Sequence, residues 1–166
     1  MRELTQTTLH PAGNCWQTCV ACILDIDPDL MPPQCEYDRR EPQPDGGFKW
    51  VGPSYSGVLN RYLREHHGLA YVEMHLPEEI WTAIQLRADA PFDGYHMLTG
   101  RTIRSDAQDG ARHVVVARNG KMVWDPHPSR SGLLEEIRYG LLVPFPESWK
   151  RIVVEPCVCP KCSSTS

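Results

Sequence analysis

Gly13-Asn14-Cys15-Trp16-Gln17-Thr18-Cys19-Val20-Ala21-Cys22-Ile23-Leu24 is the stretch on which the reading of this chain turns. Gly13-Asn14 is a small, turn-forming pair, and the residues after it are apolar at helical spacing. Cys15, Cys19, Cys22 and Ile26 share one stripe, joined by Val20, Ile23 and Leu24. The pattern predicts a central, buried helix that begins at Cys15. Asn14 is the expected cap, its side chain accepting a first-turn N–H. A thiolate is the reactive form of cysteine, and the partial positive charge of a helix start stabilises it. First-turn amides also point to where an acyl oxyanion develops, so the helix start can supply part of an oxyanion hole. The plainer account of Cys15 is a small buried apolar residue. The choice between the two depends on what lies downstream.

Downstream stands the best hairpin signal in the chain. His113 opens the run Val114-Val115-Val116-Ala117-Arg118, Asn119-Gly120 supplies a two-residue turn, and Lys121-Met122-Val123-Trp124 returns to Asp125-Pro126. In such a hairpin the far ends of the arms face one another, so the Asp125 carboxylate can orient the His113 imidazole and select its tautomer. Taken singly, His113 reads equally well as a strand-end histidine held by backbone, and Asp125-Pro126 as a turn initiator. Taken with Cys15, they form a nucleophile, a base and an orienter. His127 lies close by, between two prolines, where a solvated loop histidine is expected. It is the alternative base, and His113 is preferred.

These stretches together resemble the papain-like cysteine peptidase superfamily, most closely its small bacterial and phage members related to the bacteriocin leader peptidases. The resemblance implies an α+β, papain-like fold in which a central N-terminal helix carrying the cysteine packs on an antiparallel sheet carrying His and then Asp. It implies a Cys15–His113–Asp125 triad and cleavage of a peptide, isopeptide or related amide bond through an acyl-enzyme on Cys15. Such enzymes also place an oxyanion-hole glutamine a few residues before the nucleophile. The only upstream glutamine is Gln6, nine positions before Cys15, and an insertion in the intervening loop accounts for the extra length. Asn14, Gln17 or backbone amides are the alternatives.

Composition bounds these readings. A chain of 166 residues with a formal net charge of -4 fits one compact domain and argues against a broad nucleic-acid-binding surface. No apolar run is long enough to span a bilayer, and Met1-Arg2-Glu3-Leu4-Thr5-Gln6 lacks the apolar core of a signal peptide, so the cytoplasm is the expected compartment. Seven cysteines, an odd number, then read as thiols or metal ligands rather than as a disulfide framework. Residues 1–150 are expected to form the catalytic domain and 151–166 a cysteine-rich tail.

Between helix and hairpin, residues 25–52 are rich in Pro, Gly and Asp and read as a long loop. Gly52-Pro53-Ser54 starts a second helix with Val58, Leu59, Tyr62 and Leu63 on its apolar face and Gly68 as its stop. Ala70 to His75 reads as a strand, Pro77 to Arg87 as a third helix, Tyr95 to Thr99 as a strand, and Ile103 to Gly110 as a polar loop. Ile137, Tyr139, Leu141 and Val143 alternate, which predicts a strand in the second half of Leu134 to Val143.

The tail is a second chemical signal. Cys159 and Cys162 have the bite of a zinc knuckle and Cys157 adds a third thiolate. A closed structural zinc site needs a fourth ligand, for which Cys35, a histidine or a residue of another chain are candidates. A reactive tail without a dedicated metal is the alternative. The function these signals imply is a thiol hydrolase needing no cofactor for catalysis, acting on a peptide, protein or small amide. An acyltransferase with the same triad and a non-catalytic zinc module that shares its thiols with metal are the competing classes. The zinc module has no use for a His-to-Asp hairpin.

Overall fold

The structure, a computed structural model, describes residues 1–9, 13–37, 39–44, 48–75, 94–102 and 112–146. The described elements make an α+β fold: two helices and a five-stranded antiparallel sheet, with a separate two-stranded hairpin. Helix α1 (Cys15–Leu24) starts where the pattern places it and ends at Asp25, whose φ of 60° is left-handed. Helix α2 (Tyr55–His67) is capped by Ser54, whose side chain accepts from the Gly57 N–H, and it stops at Gly68. Residues 25–52 depart from the expected unbroken loop. They hold short 3-10 turns at Pro28–Leu30 and Gln34–Glu36, then strands β1 (Arg39–Pro42) and β2 (Phe48–Val51), which pair with each other. The prolines there end helices but do not stop a short local hairpin from closing.

The main sheet is ordered β3-β7-β4-β5-β6, from β3 (Leu69–Met74), β7 (Glu135–Pro144), β4 (Tyr95–Arg101), β5 (Arg112–Arg118) and β6 (Lys121–Trp124). Every pairing in it is antiparallel. Asn119 and Gly120 carry φ of 51° and 76°, the two left-handed residues a tight β5–β6 turn requires. A register shift between Val116 and Ala117 then bends the short β6 arm. Strand β7 runs the whole of Glu135–Pro144 rather than its second half, because β4 pairs with its early residues and β3 with its later ones.

One face of the sheet presents Tyr71, Met97, Val114 and Val116 to the buried Cys19, Val20, Ala21 and Cys22 of α1 and to Tyr55, Leu59 and Leu63 of α2. Here α1 lies chiefly against β5 and α2 against β3. Cys19 is sealed in this core and donates its S–H to the Val114 carbonyl at 3.4 Å; burial pushes its thiol up, away from ionisation. The opposite face holds Leu98, Val115, Ala117 and Tyr139. Gly140 is glycine for packing: a Cβ there would stand 2.6 Å from the Tyr71 ring. The third helix expected at Pro77–Arg87 and the loop Ile103–Gly110 lie outside the described residues. Among the described residues no helix is long and apolar enough to cross a membrane.

Candidate active site

The N-terminal segment ties the helix to the hairpin. Arg2 N–H donates to the Cys22 carbonyl and Leu4 N–H to the Cys22 sulfur, so the segment runs back along α1. Trp124 Nε1 then donates to the Leu4 carbonyl at 2.8 Å, and Gln6 N–H to the Pro126 carbonyl at 2.9 Å. The element bearing Cys15 and the turn bearing Asp125 are thereby fixed to one strap.

Cys15, His113 and Asp125 come together at this junction. His113, 1% exposed, donates from Nε2 to Asp125 Oδ1 at 2.6 Å, and Asp125 is 3% exposed. Cys15 lies beside the same ring, close enough for its thiol to act on the imidazole. With Nε2 committed to the carboxylate, Nδ1 is the nitrogen left for sulfur. Burial works against a charged His113, but the hydrogen bonds and charges of Asp125 and Cys15 outweigh it and raise its pKa above the ordinary value. Burial likewise works against an ionised Asp125; the His113 bond and charge and the N–H groups of His127 and Gly132 outweigh it, and the carboxyl sits below its ordinary value. The shifts agree in sense, each partner holding the other charged.

The Asp125 carboxylate is fully engaged. Besides the ring, Oδ1 accepts the His127 N–H at 2.8 Å, and Oδ2 accepts the Gly132 N–H at 2.8 Å. Gly132, at φ 70°, brings the chain back so that its would-be Cβ lies 3.1 Å from Met122, a return no larger residue makes without strain. His127 is not the solvated loop histidine its proline neighbours predict. It is 6% exposed, and its ring stands edge-on to His113 with centroids 6.0 Å apart. Its Nδ1 accepts the Ser129 N–H at 3.1 Å and lies 2.7 Å from Ser129 Oγ. The two prolines fold the turn inward instead of extending it into solvent.

Asn14 holds the cap position without capping. Its Oδ1 accepts from Thr8 N–H at 3.1 Å and its Nδ2 donates to Thr7 Oγ1 at 3.2 Å, so it braces the approach to the helix instead. The cap comes from Gln34, whose Oε1 accepts the N–H groups of Trp16 and Gln17 at 3.0 and 3.1 Å. Gln17 returns the contact, its Oε1 accepting Gln34 N–H at 3.0 Å while its Nε2 donates to the Pro28 carbonyl at 2.7 Å. Asn14 and Gln17 are thus both committed to structure. Gln6, 6% exposed, lies beside the Asp125-Pro126 turn; one of its Nε2 hydrogens goes to the Thr8 carbonyl, and its Oε1 has no hydrogen-bond partner among the described residues.

Cys15, Cys19, Cys22 and Cys35 are free thiols, and among the described residues no three ligand side chains gather as a metal would require. Cys157, Cys159 and Cys162 lie outside the described residues. Three contributors left no local pattern: Gln34, which acts from 18 positions beyond Trp16; the Ser129 lock on His127; and Arg130, whose guanidinium turns back onto the Asp125 carbonyl. The string Pro126-His127-Pro128-Ser129, which reads as an extended loop, is the nearest sequence signal to the last two.

No family model, no curated protein and no solved structure matches this chain.

Proposed function

We propose that the protein is a cysteine peptidase or amidohydrolase of papain-like arrangement, cutting an amide bond through an acyl-enzyme on Cys15. The observation that carries this reading is the single buried imidazole of His113, bonded on one side to Asp125, with Cys15 beside the same ring. Such a ring is held by its carboxylate and favours the imidazolium, the form that can give a proton to a leaving group.

In the first half of the reaction the Cys15 thiolate attacks the carbonyl carbon of the amide and a C–S bond forms. The oxyanion that develops is opposite the helix start. Trp16 and Gln17 amides already serve Gln34, so the donors of this reading are the Cys15 N–H and the second hydrogen of Gln6 Nε2. The C–N bond breaks as His113 gives its proton to the leaving amine, and a thioester remains. In the second half water attacks the thioester, His113 takes a proton from it, and the C–S bond breaks to release a carboxylic acid and restore the thiolate. Asp125 holds the ring and stabilises its charge in both halves.

The test is alkylation by iodoacetamide at mildly acid pH, read by mass spectrometry on the whole chain. Cys15 is expected to react first, ahead of the exposed Cys35, and Cys15→Ala to lose this labelling together with all turnover of amide substrates while keeping its fold. Labelling of Cys35 before Cys15, or unchanged turnover in Cys15→Ala, overturns the reading.

A further inference from the structure

We propose that Arg130 is a positioning residue of this site, clamping the Asp125 turn against the N-terminal strap so that the carboxylate stays aimed at His113. The inference rests on the reading of Cys15, His113 and Asp125 as catalytic groups.

Four contacts converge on one guanidinium. It lies 3.9 Å over the Trp124 ring, the last residue of β6, in cation–π contact. Its Nη1 donates to the carbonyl of Asp125 and, at 3.1 Å, to that of His127. Its Nη2 donates to Thr5 Oγ1 at 2.7 Å, on the strap. The carbonyls it binds belong to the residue whose carboxylate meets His113 and to the residue whose N–H reaches the same carboxylate oxygen. Arg130 also stands at φ 53°, a left-handed backbone that costs a residue with a side chain and persists where surrounding contacts overdetermine it. The planar, five-donor fork is what lets one side chain stack on an indole and reach two carbonyls and a hydroxyl together. A lysine ammonium is a point donor and cannot do so. Arg130 makes no contact with the reacting sulfur in this arrangement; its effect passes through the turn.

The experiment is the rate of Cys15 alkylation by iodoacetamide as a function of pH in the wild-type chain, Arg130→Gln and Arg130→Lys, with circular dichroism as the check on folding. The groups around His113 whose charge shapes the profile are Cys15 on α1 and Asp125 on the turn, where His127 stands edge-on to the ring. Weakening the hold on Asp125 by up to about one pKa unit's worth of interaction slows the mildly acid reaction by about 3- to 10-fold and moves the profile to higher pH. Arg130→Lys, which keeps the charge and the fold, is expected to recover less than half of the lost rate. A folded Arg130→Gln or Arg130→Lys with the wild-type profile overturns the clamp and leaves the site reading intact. Failure of the site reading appears separately, as a wild-type Cys15 that reacts no faster than Cys35, and overturns both.

Discussion

Asp125 accepts hydrogen bonds on both oxygens, and this decides how its substitutions behave. In Asp125→Asn a single carbonyl oxygen can serve either the His113 and His127 side or the Gly132 side. The amide nitrogen then meets an N–H donor on the other, leaving one buried donor unpaired. The expected cost is about 1–3 kcal/mol, read as a lower urea midpoint. Turnover is expected to fall between wild type and Asp125→Ala, which itself loses on the order of 10- to 1000-fold. The pair also links stability to pH. His113 is raised on folding, so its share is complete below its ordinary pKa and is lost as pH rises through the folded value. Asp125 is lowered, so its share is present above the ordinary carboxyl pKa and is lost as pH falls through the folded value. Both shares coexist between about pH 4 and 6.5, the ordinary values of the two groups. The gap in urea midpoint between wild type and Asp125→Ala is expected to be widest there and to narrow toward alkaline pH. A gap independent of pH would mean the two titrations are not linked to folding.

At the level of elements, Gly140 on β7 governs a contact two layers from the thiol. Tyr71 lies over it and in turn packs edge-on against Trp16, with centroids 4.9 Å apart, next to Cys15. Gly140→Ala drives a methyl into a ring already in contact, an overpacking expected to cost about 1–3 kcal/mol in thermal or urea unfolding. An unchanged melting temperature would show that Tyr71 has room to move. Helix α1, helix α2 and the β5–β6 hairpin were legible in the sequence because their signals are local: an apolar stripe, a serine start with a glycine stop, and Asn119-Gly120. The pairing of His113 with Asp125 was legible for the same reason, since one hairpin holds both. What escaped was long-range. Asn14 has the composition of a cap, yet Thr8 takes its side chain while Gln34 caps the helix from across the chain. His127 sits in a turn that prolines usually extend, and it is pulled inward by Asp125 Oδ1 and Ser129. The early half of β7 is defined by its backbone pairing with β4 rather than by side-chain alternation.

For the molecule as a whole, the sheet order places β7 between β3 and β4 although it comes after every other described strand in the chain. Strand β3 finds its described partner in β7 alone, and β4 keeps one edge open until β7 arrives. A chain ending at residue 134 retains Cys15, His113 and Asp125 but none of β7. It is expected to aggregate through those open edges and to show no preferential labelling of Cys15. Preferential labelling in that truncated chain would mean that α1 and the β5–β6 hairpin assemble by themselves. During synthesis the same placement sets the order of events. Cys15 leaves the ribosome well before β7, the last described strand of the sheet, which begins more than a hundred residues later in the chain. Between Asp125 and Pro144 the growing chain carries every group of the proposed triad without a complete β7, so preferential reactivity of the thiol is expected only once translation has passed Pro144.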